Sequence, residues 1–200
     1  TNFFASSQHL IFHLPYAFHG RRMIFKKWLS WITENGEEDE LYKEVGKRSD
    51  DKLFIKKASK SKLYLDFVKN KIMPGEIASS EIGNMYSASI FMSLLSLLTN
   101  AFKNQIEITD NKVGFISYGS GSKSKVFMGI VQSGWKKQIK GLKLFEILES
   151  RKKIKIETYE RLHKNQILNP LTSDINVVKL SKIESGEFNL GLRRYKYNHK

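Results

Sequence analysis

The sequence predicts an α/β fold, and three stretches carry that reading. Residues 9–14 form a short apolar strand that runs directly into a helix-spaced stretch at 20–33. An apolar stretch beginning near Asn84 has helical spacing, and residues 112–118 and 126–132 make two strands around a glycine-serine tip. With 200 residues, 40% of them hydrophobic, the chain can bury a core, which excludes global disorder and favours one domain.

The first strand ends at Pro15, which has no N–H to give a ladder. Over residues 20–33, Met23, Ile24, Trp28, Leu29, Trp31 and Ile32 recur at helical spacing. Arg21, Arg22, Lys26 and Lys27 crowd the first two turns of that helix, where each opposes the macrodipole by about a few tenths of a kcal/mol. A solvated basic face accounts for this placement, and so does an anionic ligand at the helix start. Residues 37–40 are all acidic and the sign then reverses at Lys56, Lys57, Lys60 and Lys62, so a charged surface insertion is expected at about residues 34–62. A short helix around residues 53–71 would turn Leu53, Leu63, Leu65, Phe67 and Val68 toward the body.

The apolar stretch from Ile90 to Phe102 is interrupted by Ser93, Ser96, Thr99 and Asn100 and falls short of the roughly 20 residues that a bilayer needs. It reads as a buried helix, apolar nearly all round, whose Ser89, Ser93 and Ser96 permit close packing on a sheet or on a symmetry mate. Beyond the paired strands, a helix is expected over about residues 142–152, a strand at 155–157, a helix near 159–164 and a strand through Val177, Val178 and Leu180.

Charge and composition narrow the functions. Lys and Arg number 34 against 20 Asp and Glu, a net charge of +14. Nucleic acid, an anionic membrane and a phosphorylated small molecule all reward that balance. The basic residues are scattered, with no basic arm and no nucleic-acid motif, so a solvated lysine-rich surface is the plain reading. There is no cysteine, which excludes a disulfide scaffold, a thiolate zinc site and a cysteine nucleophile from this chain, and points to a reducing, cytoplasmic setting. No metal site is expected. The chain opens Thr1-Asn2-Phe3-Phe4 without an initiator methionine or a secretory signal, so a processed or partial chain is expected.

Three segments in order resemble motifs of the C-terminal half of the hydroxymethylglutaryl-CoA synthase family: Phe12-His13-Leu14-Pro15-Tyr16, Gly83-Asn84-Met85-Tyr86-Ser87-Ala88-Ser89 and Phe115-Ile116-Ser117-Tyr118-Gly119-Ser120-Gly121. The tail, with Tyr159-Glu160-Arg161-Leu162, Val178-Lys179-Leu180 and Arg194-Tyr195, is similar to the family's closing segments, so the likeness covers nearly the whole chain. The resemblance implies a thiolase-like fold, here the second half of a two-half, layered α/β/α/β/α architecture that usually dimerises. It also implies condensation of acetyl-CoA with acetoacetyl-CoA and water to give 3-hydroxy-3-methylglutaryl-CoA and CoA, on the mevalonate route to isoprenoids. In that family a cysteine of the first half takes the acetyl group, a glutamate there removes a methyl proton, and the enolate attacks the ketone. Both residues would lie upstream of Thr1. The chain alone is therefore expected to be inactive, with the N-terminal half as its partner, coenzyme A thioesters as substrates rather than a cofactor, and no nucleic acid or membrane partner.

Residue by residue, the resemblance makes His13 the catalytic histidine, set against the acetoacetyl group. On the residues alone, a lone histidine beside apolar neighbours is more often a satisfied core residue, though a neutral imidazole in a dry pocket can donate to a developing alkoxide. Asn84 either caps the helix after it or offers an N–H to a substrate oxygen, and the resemblance favours substrate binding, with Tyr86 packing close by. Ser120 matches the serine that contacts the acyl-CoA, and Gly119 and Gly121 let the backbone come near the thioester; a bare glycine-serine tip is otherwise a simple turn. Arg22 aligns with a lysine that helps to bind CoA, and Arg21 and Lys26 stand beside it, their charge suited to phosphate. The family's second lysine is Phe18 here, with His19 next to it.

Two other readings stay open at this level. A polyketide β-branching synthase performs the same aldol step on an acceptor tethered to an acyl carrier protein, whose acidity a basic surface suits. A non-catalytic basic module would bind nucleic acid with a steep salt dependence.

Overall fold

The computed structural model describes residues 3–49, 51–119, 123–167, 171 and 178–197. They fall into two compact units, residues 1–151 and 152–200.

The first unit is built on a three-stranded sheet. After a single turn of helix, α1 (Phe3–Ser6), the apolar run His-Leu-Ile-Phe forms β1 (His9–Phe12). It pairs in parallel with β2 (Lys112–Gly119), which pairs antiparallel with β3 (Lys123–Ile130), giving the order β1-β2-β3. Because successive strand residues face opposite sides, β1 feeds two cores. Leu10 and Phe12 join one and Ile11 the other. Position 114 must be glycine on the first side: a Cβ there would lie 2.6 Å from Phe3 Cζ and 2.8 Å from Leu10 Cδ2.

The layer on that first side begins with α2 (His19–Glu34), which buries Ile24, Phe25, Trp28, Leu29 and Ile32 at helical spacing. The acidic and basic stretch that follows is more than a charged surface insertion. It folds as α3 (Glu38–Val45), α4 (Lys52–Ala58) and α5 (Lys62–Phe67), and sends Leu41, Phe54, Ala58 and Tyr64 into the same core. The single helix expected around 53–71 is thus divided. The Ser61 hydroxyl donates to the carbonyl of Ala58 and accepts from the N–H of Tyr64, closing one helix and starting the next. A π-helical turn (Val68–Ile72) completes the stretch.

On the other face lies α7 (Ala88–Lys103), with α6 (Met73–Ile82) against it; the sequence reading did not anticipate α6. The helix begins at Ala88 rather than Asn84. Gly83, at φ 90°, ends α6, and the Asn84 side-chain oxygen accepts from the N–H of Tyr86, holding the intervening chain in a turn. Nor is α7 buried all round: Phe91 is 67% exposed, whereas Ser89, Ser93 and Ser96 are buried. Each serine serves a backbone group. Ser89 Oγ accepts from Leu14 N, Ser93 Oγ donates to Phe12 O, and Ser96 Oγ is inserted in the first turn of α6 between Pro74 O and Ala78 N. The stripe therefore clamps α7 to β1 and α6, the sheet packing that small polar residues allow. Two short helices, α8 (Trp135–Ile139) and α9 (Leu144–Glu149), complete the unit; α9 is shorter than the helix expected over 142–152, and Lys143 precedes it in a left-handed conformation at φ 45°.

The second unit holds α10 (Ile156–His163) and a hairpin of β4 (Val178–Ile183) and β5 (Arg193–Tyr197). The strand expected at 155–157 is absent because those residues open α10, whose first hydrogen bond runs from Tyr159 N to Lys155 O. A few residues of alternating Lys and Ile suit either period. The strand expected through Leu180 is β4, although Val177 lies outside the described residues. Among the described residues no helix is long and apolar enough to cross a membrane.

Candidate active site

In α/β sheets the chain leaves the sheet at the carboxyl ends of parallel strands, and the crevice there is where ligands bind. His13 is the first residue past β1. Its N–H still donates to Ile116 O of β2 at 3.0 Å, and the next N–H, of Leu14, goes to Ser89 Oγ at 2.9 Å. Following Phe12, the His13 side chain falls on the α7 side of the sheet, where its Nδ1 lies 3.0 Å from Ser89 Oγ. The ring of Tyr118, near the end of β2, meets His13 edge to face at 5.1 Å.

A second imidazole belongs to this cluster. His19 opens α2 with its ring 5.5 Å from Tyr118 and 4.7 Å from Tyr16. Burial holds its pKa below the ordinary histidine value, and the charge of Arg22 and the proximity of His13 add to the effect. Its Nδ1 is buried with no hydrogen-bond partner among the described residues.

The three basic residues of α2 that the resemblance sets toward CoA, Arg21, Arg22 and Lys26, have different fates. Arg22 is exposed beside the cluster, its guanidinium 3.4 Å from the Tyr16 hydroxyl. Lys26, one turn on, is also exposed. Arg21 is tied instead to Glu76 of α6 at 2.6 Å, with its guanidinium 4.6 Å above the Phe18 ring.

Asn84 sits in the turn before α7, its oxygen taken by Tyr86 N at 2.8 Å and its amide N–H groups without a partner among the described residues. Tyr86 adjoins Asn84 through that backbone bond; it is 78% exposed and holds a left-handed φ of 50°, which a bulky side chain rarely adopts. Gly119 ends β2 in open space, where an added Cβ would meet only Lys123 O, 3.9 Å away. Among the described residues nothing in the packing demands a glycine there. Ser120 and Gly121 lie outside the described residues.

The structure therefore brings together His13, Tyr118, His19, Tyr16 and Arg22. Sequence reasoning did not assign roles to Ser89, Tyr16 or Tyr118; the serine stripe was visible, but nothing in a single sequence pairs residues 13 and 89. A cleft of about 430 Å³ lies elsewhere, between α6, α7 and α9, lined by Ile77, Glu81, Lys103, Phe145 and Glu149. Its charged residues are already paired, Lys103 with Glu149 at 3.4 Å and Glu81 with Arg151 at 2.9 Å, and no histidine lines it. Among the described residues no three His, Asp or Glu side chains converge to hold a metal ion.

Comparison with known proteins bears on this arrangement. A hydroxymethylglutaryl-CoA synthase of Haloferax volcanii is 24% identical over 169 residues, covering 78% of this chain and 38% of the relative. A solved structure of MvaS in complex with 3-hydroxy-3-methylglutaryl coenzyme A superimposes with a TM-score of 0.67 at 21% identity, covering 97% of this chain and 42% of that one. The HMG synthase of the curacin biosynthetic pathway, in complex with an apo donor ACP, gives 0.59 at 18% identity, covering 98% and 45%. The likeness to the solved structures establishes the thiolase-like fold, and the chain spans about two fifths of the length of these relatives. The family model for the C-terminal region of hydroxymethylglutaryl-coenzyme A synthase matches residues 2–183, and the chain belongs to that family.

Proposed function

We propose that this chain supplies the acceptor side of a hydroxymethylglutaryl-CoA synthase that condenses acetyl-CoA with acetoacetyl-CoA. The observation that carries the reading is His13 at the carboxyl end of β1, seated on Ser89 and walled by Tyr118, in a chain whose family model spans residues 2–183. The sequence has no cysteine, and the family resemblance assigns both the acetyl-carrying thiol and the base for its methyl group to the N-terminal half of the same enzyme.

In this reading the ketone oxygen of acetoacetyl-CoA lies against the His13 imidazole. The acetyl enolate forms a bond to the ketone carbon as the C=O π bond breaks, and His13 donates a hydrogen bond to the oxyanion that develops. The oxyanion takes up a proton, balancing the one lost from the methyl group, and water hydrolyses the thioester to release the product. Arg22 at the start of α2, and Lys26 one turn later, suit the phosphates of CoA, and Asn84 offers its free amide N–H groups to an acyl oxygen. Dimerisation belongs to the same proposal.

A carrier-bound acceptor is the second reading. The net charge of +14 supports it, since a basic surface attracts an acidic carrier protein. The deciding experiment incubates the intact protein, including all residues upstream of Thr1, with acetyl-CoA and either acetoacetyl-CoA or an acetoacetyl carrier protein, and follows the hydroxymethylglutaryl product by mass spectrometry. Product from free acetoacetyl-CoA is expected; product from the carrier alone selects the second reading. No product from either, with salt-sensitive nucleic-acid binding, would leave a non-catalytic module. In the active protein, His13→Ala abolishes condensation while enzyme acetylation persists; equal loss of both steps removes His13 from the acceptor side.

A further inference from the structure

We propose that Ser89 is a positioning residue that fixes the tautomer of His13, leaving the proton on Nε2. A serine hydroxyl has one O–H to give and two lone pairs to receive. One lone pair of Ser89 Oγ is filled by the N–H of Leu14 at 2.9 Å, the residue immediately after His13. His13 Nδ1 stands 3.0 Å away. If Nδ1 carried the proton, Oγ would receive two N–H groups and its own O–H would be left over. Ser89 is 0% exposed, and that O–H has no other acceptor among the described residues. An unmade buried hydrogen bond of this kind is unfavourable enough to decide the matter. The hydroxyl therefore donates to Nδ1, and the Nε2–H is presented on the side of the ring away from α7.

Backbone and side chain are set by one atom. Ser89 Oγ holds Leu14 and His13 together, and it stands on a helix clamped by Ser93 to the carbonyl of Phe12, the last residue of β1 and the one immediately before His13. The imidazole thus arrives with its donor already formed. For the condensation proposed above, on which this consequence rests, a ready N–H toward the ketone is what the developing oxyanion requires. In neutral histidine it is the hydrogen bond made by one nitrogen that dictates which proton the other carries.

Nitrogen-15 NMR of the intact protein labelled at histidine reads the tautomer directly, with His13→Gln assigning the signals. In its neutral form His13 is expected to show an unprotonated Nδ1 and a protonated Nε2. Ser89→Ala should shift the tautomer balance and lower kcat about tenfold, the loss of roughly one hydrogen bond, with KM for the acyl acceptor little changed. Ser89→Thr, which keeps the hydroxyl, should restore both. A protonated Nδ1 in the unaltered protein, or an unchanged tautomer in Ser89→Ala, overturns the assignment. Because the NMR readout needs no turnover, a protein that makes no product would refute the condensation and leave the tautomer standing. Should Ser89→Ala fail to fold, the unaltered protein and Ser89→Thr still decide it.

Discussion

Arg21 Nε lies 2.6 Å from Oε2 of Glu76, a carboxylate only 2% exposed in α6, so the start of α2 is anchored across the first unit by a largely buried ion pair. Burial pushes the Glu76 pKa above the usual carboxylate range despite the opposing effect of Arg21. Removing Arg21 would strand that carboxylate. Arg21→Ala is expected to cost about 2–4 kcal/mol near neutral pH, less than a fully buried pair because the Arg21 side chain is 29% exposed. The loss should shrink toward pH 5, as a carboxyl with a raised pKa takes up a proton. Urea unfolding of Arg21→Ala at both pH values measures it, and an unchanged midpoint would show that the pair is dispensable.

Arg22, one residue on, should behave in the opposite way. It is exposed and packs on nothing but the Tyr16 hydroxyl. Arg22→Ala is expected to leave the unfolding midpoint in place and raise KM for CoA substrates about tenfold, the loss of one charge-assisted phosphate contact. Steady-state kinetics at two salt concentrations test this, since the wild-type KM should rise with salt and the variant's less so.

Gly20 has no room for a side chain. A Cβ there would sit 2.6 Å from Phe12 Cδ2 and 2.7 Å from Phe12 Cγ. The ring is 1% exposed and cannot swing into solvent, so Gly20→Ala is expected to destabilise by about 1–3 kcal/mol through overpacking. Phe12 immediately precedes His13, so kcat should fall as well. Thermal unfolding and turnover of this one variant measure both effects.

His9, at the far end of β1 from His13, sets an acid limit on stability. Burial and then the nearby charge of Lys71 hold its pKa below 6.5. The unfolded chain binds a proton as pH falls through 6.5 while the folded chain resists, so this contribution to stability is present above 6.5 and is lost as pH falls toward the lower folded value. His19 acts with the same sign. His9→Gln should reduce, without abolishing, the fall in melting temperature between about pH 7 and pH 5. An unchanged slope would place the titrating group elsewhere.

Local pattern was enough for much of the fold. The β1 strand, the apolar face of α2 and the pairing of β2 with β3 follow from spacing and residue type, because strand and helix periods are properties of neighbours in the chain. The failures came where one side chain outweighs the period. Ser61 divides a helical stretch, the Asn84 side chain holds the chain out of α7 for a turn, and a few alternating residues at 155–157 suit strand and helix alike.

By itself the sequence determined the α/β class, the family motifs that single out His13, and the serine stripe of α7. Only the tertiary structure decided that Arg21 belongs to Glu76 while Arg22 stays exposed beside Tyr16, that Tyr118 and His19 surround His13, and that Ser89 supports the imidazole. The reason is distance along the chain. The Arg21–Glu76 pair spans 55 residues and the Ser89–His13 contact 76, and a single sequence records which side chains are present but not which of them the packing of α6 and α7 on the sheet brings within hydrogen-bond reach.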